Sequence, residues 1–131
     1  SFFYFYAPYS HFFVGAAALL KNNKIITGTN QENASYPVTI CAERTLLSTA
    51  STMFPNSAID TMAITYHNHN INTNSNKPIS PCGMCRQALL EYEGRFNNNI
   101  RLILSGLEGM VIIVASSKNL LPLSFTGESM K

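Results

Sequence analysis

The stretch from Cys41 to Tyr66, CAERTLLSTASTMFPNSAIDTMAITY, holds a helix followed by a strand. Apolar residues at 42, 46, 47 and 50 mark one face of a helix that should stop before Pro55. Ile59 to Tyr66 is apolar and β-branched, as a strand requires. Working upstream, Phe12 to Leu20 is an apolar run that reads as a strand buried on both faces. Gly15 within it suggests a close backbone approach. Asn22-Asn23 suits a hairpin turn into a second strand, Lys24 to Gly28. Downstream, Ser80-Pro81 resembles a helix start with a serine cap and proline at the first position. That helix carries Met84, Cys85, Ala88, Leu89 and Tyr92 on one side. Ile100 to Leu104 and Met110 to Val114 complete five strands. Strands alternating with at least two helices predict an α/β fold, a three-layer αβα sandwich.

At 131 residues the chain is the size of one domain, expected to span 1–131 without a linker. Nine basic against seven acidic residues leave a net charge of +2, too slight for a nucleic-acid footprint. Apolar residues at 46% with only 12% charged exclude disorder, and the sparse surface charge suggests a partner subunit. No apolar run reaches the ~18 residues of a membrane span, and no signal-like stretch leads the chain. A soluble, cytoplasmic protein that does not bind membranes is expected. The opening aromatics, Phe2, Phe3, Tyr4, Phe5 and Tyr6, suggest packing only. His67 to Lys77, with asparagine at 68, 70, 72, 74 and 76, should be a solvated linking loop.

The three cysteines carry the chemistry. Cys41 and the Cys82/Cys85 pair each stand at the start of a predicted helix, where positive partial charge favours the thiolate. Cys82 and Cys85, three apart, can face one point from a single turn. With Cys41 they offer three ligands to a tetrahedral zinc and leave a fourth position for water, as a catalytic site does. His67 or His69 as a fourth ligand would make it a closed structural module instead. Three thiolates on Zn²⁺ leave a net negative centre that opposes ionisation of bound water. Arg44, three residues beyond Cys41, could relieve this by donating hydrogen bonds to thiolate sulfur. Cys41-Ala42-Glu43 followed by Pro81-Cys82-Gly83-Met84-Cys85 matches the signature of zinc-dependent nucleobase deaminases, with cysteine replacing the first histidine.

Over nearly its whole length the chain resembles the small homotetrameric cytidine deaminases. The likeness runs through Tyr9-Ser10-His11-Phe12-Phe13-Val14-Gly15-Ala16-Ala17, Asn30-Gln31-Glu32-Asn33-Ala34-Ser35-Tyr36-Pro37, Cys41 to Arg44, Ser80 to Glu91 and Leu121-Pro122-Leu123-Ser124-Phe125. The resemblance implies a five-stranded mixed sheet and one zinc per subunit held by Cys41, Cys82 and Cys85. Glu43 would move protons between metal-bound water and substrate. Asn30 and Glu32 would bind the ribose, chiefly its 3′-hydroxyl, and the backbone of Ala42 would hold the base. Phe12 would pack beside the nucleoside, and Phe125 would reach the site of a neighbouring subunit. Residue type alone favours core for both phenylalanines, and the site roles rest on the resemblance. The implied reaction converts cytidine and 2′-deoxycytidine to uridine and 2′-deoxyuridine in pyrimidine salvage. A deaminase of another aminopyrimidine nucleoside, such as blasticidin S, shares the cysteine signature, but the Asn30 and Glu32 pair favours cytidine.

Overall fold

A computed structural model describes residues 5–131; Phe2, Phe3 and Tyr4 of the aromatic cluster lie outside the described residues. The elements run β1 (Phe12–Leu20), β2 (Ile25–Thr29), α1 (Ala42–Met53), β3 (Ile59–Asn68), α2 (Gly83–Phe96), β4 (Arg101–Leu104) and β5 (Ile112–Val114). Single 3₁₀ turns occupy Tyr36–Val38, Ser117–Leu120 and Gly127–Met130. The strands form one mixed sheet in the order β2-β1-β3-β4-β5. β3 and β4 are parallel, joined by the α2 crossover, and the other pairs are antiparallel. The expected α/β class and the five-stranded mixed sheet are both present. Among the described residues no helix is long and apolar enough to cross a membrane.

The two-residue period of the strands separates the faces. Ala16, Ala18, Leu20, Ile26, Met62, Ile64, Leu102 and Leu104 point into one core. Leu46, Leu47 and Ala50 of α1 and Leu89 and Tyr92 of α2 pack into that same core. The opposite face is open, with Leu19 41%, Ile25 69% and Ile113 63% exposed. β1 is therefore not buried on both faces as its apolar run suggests, because both α-helices share the face of its even-numbered residues; among the described residues there is one helical layer, not the two of the expected αβα sandwich. At the hairpin, Asn23 takes the left-handed conformation (φ 69°) that an asparagine tolerates.

Helix and sheet come into tight contact at Gly28. A Cβ there would stand 2.5 Å from the carbonyl oxygen of Ala42 and 2.7 Å from the backbone nitrogen of Leu46. The first turn of α1 thus rests directly on β2, and that turn carries Glu43. Gly28→Ala should cost about 1–3 kcal/mol of stability, since the obstacle is backbone that cannot rotate away. A lower urea midpoint at unchanged slope would register it. An unchanged midpoint would mean that α1 can lift off β2 freely.

Candidate active site

Cys41 and Cys82 are the N-cap residues of α1 and α2, both in extended backbone conformations (ψ 154° and 169°). α2 begins at Gly83, so Cys82 rather than Ser80 caps it. Pro81, expected at the first helical position, stands one residue before the cap, where its carbonyl accepts a hydrogen bond from Nε of Arg86 at 2.8 Å. Nη1 of the same arginine donates to the carbonyl of Leu120 at 2.9 Å, so one guanidinium pins the cysteine loop to the C-terminal segment. Cys85 follows within the first turn of α2 and is buried.

The three sulfurs converge. Sγ of Cys41 lies 3.8 Å from Sγ of Cys82, which lies 3.5 Å from Sγ of Cys85, and all three fall within 4.8 Å of one another. Two sulfurs each ~2.3 Å from one tetrahedral zinc stand about 3.8 Å apart, so the donor set and its spacing fit that ion. No histidine joins the cluster among the described residues, which removes the closed four-ligand arrangement built on His67 or His69.

Electrostatics at the cluster follow from crowding and burial. Hydrogen bonding from Cys85 holds the Cys41 thiol down to about 6. The Cys85 thiol is pushed up, first by its hydrogen bond to Cys41 and then by burial. Three thiolates this close ionise together only with a cation among them. Glu43, 4% exposed in the first turn of α1, has its carboxyl raised by burial, and its Oε2 lies 3.6 Å from Sγ of Cys85. Arg44 donates from Nη1 to the thioether of Met84 rather than to a cysteine sulfur. Its positive charge still helps to lower the Cys41 thiol, after the hydrogen bonds.

Cys41, Glu43 and Cys82 border a cavity of about 650 Å³, well within the range of small-ligand sites. Phe12, Asn30, Glu32, Cys41, Ala42, Glu43 and Cys82 all line it. Phe12 is held by stacking on Tyr66, with ring centroids 5.2 Å apart and 22° between planes. The amide of Asn30 bridges strand backbone: Oδ1 accepts from the Val14 N–H at 3.0 Å and Nδ2 donates to the Phe12 carbonyl at 2.8 Å. Glu32 accepts from the Tyr9 and Ser10 N–H groups at 3.2 Å and from the Ser10 hydroxyl. Phe125 does not line this cavity. It is 61% exposed, and its carbonyl accepts from Nε2 of Gln87 at 2.9 Å.

The wall also contains Tyr9, Ser10, Tyr36 and Ile79, to which residue reading assigned no separate role. Tyr9 and Tyr36 meet edge to face, with centroids 5.8 Å apart. Ser10 reaches Glu32 across 22 residues of chain, a pairing that no local period announces. The one available signal was that Tyr9, Ser10 and Tyr36 fall within the strings that carry the family likeness.

Comparison with known proteins agrees with this geometry. Residues 4–96 match the family described as the cytidine and deoxycytidylate deaminase zinc-binding region. A cytidine deaminase of Halalkalibacterium halodurans is 39% identical over 125 residues, covering 95% of this chain and 86% of that protein. One from Sporosarcina psychrophila is 34% identical over 125 residues, covering 95% of this chain and 83% of its own. The crystal structure of cytidine deaminase from Burkholderia pseudomallei superposes with a TM-score of 0.78 at 35% identity, covering 93% of this chain and 88% of that one. On sequence and fold together, this chain belongs to the zinc-binding cytidine and deoxycytidylate deaminase family.

Proposed function

We propose that this protein hydrolyses cytidine and 2′-deoxycytidine to uridine and 2′-deoxyuridine with release of ammonia, working as a single domain in pyrimidine salvage. One observation carries the reading: three sulfurs at tetrahedral spacing stand beside a buried carboxylate, and Cys41, Cys82 and that carboxylate, Glu43, line one cavity of small-ligand size. Cys41, Cys82 and Cys85 hold zinc, which when bound supplies the Lewis acidity that readies water for attack at C4 of the pyrimidine. Glu43 does the proton work. Burial keeps its carboxyl raised towards the operating pH, as a proton-transfer group requires. It takes a proton from the attacking water and places it on ring N3, then takes the remaining proton of the hydroxyl added at C4 and delivers it to the amino group, which leaves as ammonia. The backbone of Ala42 holds the base and the Phe12 ring packs against it. Asn30 keeps one Nδ2 hydrogen beyond its bond to Phe12 for the ribose, and Glu32 accepts from the 3′-hydroxyl. Arg44 tunes the centre through its charge.

Among the described residues, the cavity wall contains Glu32 and Glu43 and no lysine or arginine. A 5′-phosphate would therefore meet negative charge with no cation to pair it. That distinguishes the nucleoside from the nucleotide within the family. Zinc content should be one per chain, and cytidine and 2′-deoxycytidine should both release ammonia. Deoxycytidylate should show a kcat/KM at least about a hundredfold lower, the scale of a desolvated like-charge contact. Deoxycytidylate turnover within tenfold of cytidine would reverse the assignment.

Association into a homo-oligomer, a tetramer, is part of the same proposal. Leu19, Ile25 and Ile113 on the open sheet face, and Leu107, Met110 and Phe125 elsewhere, are apolar and at least 41% exposed, as a covered interface requires. Phe125, which does not line its own cavity, then completes that of a neighbour. The low charge of the surface and the cytidine chemistry agree with a cytoplasmic protein that binds neither nucleic acid nor membrane.

A further inference from the structure

We propose that Ser10 and the asparagine-rich loop after β3 are positioning elements for Glu32, and that together they set how strongly the site discriminates for a ribose 3′-hydroxyl. The inference rests on the reading of Glu32 as the ribose-binding carboxylate. Glu32 extends from a loop with no regular element to fix its side chain. Its orientation comes instead from the turn at residues 8–10. Two backbone N–H groups, of Tyr9 and Ser10, and the Ser10 hydroxyl converge on the one carboxylate. The Ser10 Oγ also accepts from the Phe12 N–H at 3.1 Å, so the hydroxyl is aimed while Phe12 is held beside it.

That turn is itself strained and exposed. His11 follows with φ 54°, a left-handed conformation that a side chain adopts only when its surroundings hold it there. The holding groups come from the distant loop. Nδ2 of Asn70 donates to the Ser10 carbonyl at 2.9 Å, sixty residues along the chain, and the His69 N–H donates to the His11 carbonyl at 2.9 Å. The loop is stiffened from within. The Asn68 side chain accepts from the Asn70 backbone and side chain, at 3.1 Å and 2.7 Å, and the Thr73 hydroxyl donates back to the Asn70 carbonyl at 2.6 Å. Its far end is anchored: Ser75, 7% exposed, accepts from the Asn68 N–H through Oγ at 2.9 Å and from the Leu107 N–H through its carbonyl at 2.8 Å. A continuous hydrogen-bonded path thus runs from the β4–β5 connection through Ser75, Asn68, Asn70 and Ser10 to Glu32. The asparagines supply local hydrogen-bonding groups that order a loop whose one large apolar side chain, Ile71, is left exposed.

The test compares kcat/KM on 2′-deoxycytidine with that on 2′,3′-dideoxycytidine, because only the first offers a 3′-hydroxyl. The ratio of the two reads ribose recognition alone; a merely structural defect lowers both substrates together. In the full-length, zinc-loaded enzyme, Glu32→Gln should bring the ratio close to one. Ser10→Ala should lower it about tenfold, the usual worth of a hydrogen bond to a carboxylate. Ser10→Thr, which keeps the hydroxyl, should restore most of it. Asn70→Ala, which touches no substrate, should lower it about threefold, as loss of one neutral hydrogen bond predicts. Should Glu32→Gln collapse the ratio while Ser10→Ala and Asn70→Ala leave it within twofold of wild type, the positioning role is overturned and Glu32 keeps its own. A ratio untouched by Glu32→Gln would overturn the ribose reading, and the positioning role with it.

Discussion

Replacing Glu43 with alanine should lower kcat by about 10²–10⁴-fold, the contribution of one placed acid–base group, while zinc stays at one per chain. The separation of the two effects is the point. Glu43 lies beside the sulfur cluster, 3.6 Å from Cys85, yet it is not one of the three groups whose spacing fits zinc. Zinc analysis and an ammonia-release assay on the same preparation check both halves, and a variant that kept most of its turnover would remove Glu43 from the chemistry. Glu43→Gln sharpens the test because it preserves shape. It also carries a stability signature whose sign is fixed. Burial raises the carboxyl above its ordinary 4.5, so the folded state disfavours the ionised form. The wild type therefore holds this contribution at pH below the ordinary carboxylate value and loses it as pH rises through the raised one. Glutamine has no such loss, so the melting temperature of Glu43→Gln should gain on wild type across that window and hold the gain above it.

Much of this site could be read before any coordinates, and the reasons are local. Cys41, Glu43, Cys82 and Cys85 act from the first turns of two helices, and a helix start fixes spacing over three or four residues. Sequence separation therefore translates directly into distance there. The sheet was legible for the same reason: β1 and β3 are long, apolar and bounded by turns. What remained hidden depends on partners far along the chain. Ser10 acquires its contact with Glu32, and Asn70 its contact with Ser10, only once β1 and β3 are paired in register, Phe12 opposite Asn68. Gly28 was likewise silent, because its importance is the distance to the backbone of α1 rather than any feature of β2. The start of α2 was displaced from Ser80 to Cys82 by tertiary demand. Cys82 must be extended for its sulfur to face Cys41, and the bond from Arg86 to Pro81 holds it so.

Cys82 and Cys85 should separate the cost of losing the metal from the cost of losing packing. Both belong to the sulfur cluster, but Cys82 is exposed whereas Cys85 is fully buried in the first turn of α2. Cys82→Ala removes a ligand and almost no core contact. Its zinc affinity should fall well beyond the 10–100-fold typical of an outer-shell change, with turnover falling in step. Its urea midpoint should match that of chelator-treated wild type and go no lower, because the apolar core of α1, α2 and the sheet is untouched. Cys85→Ala removes another of the three proposed ligands and also leaves a small void in the interior. It should therefore fall below the chelated wild type by about 1 kcal/mol or more. Zinc content, ammonia release and urea midpoints of the two variants, each with and without chelator, read all of this directly. If Cys82→Ala kept one tightly held zinc and full turnover, the three sulfurs would not be the catalytic ligand set. If instead the two variants melted together, Cys85 would contribute nothing beyond its thiolate, and its burial would follow from metal binding rather than support the fold.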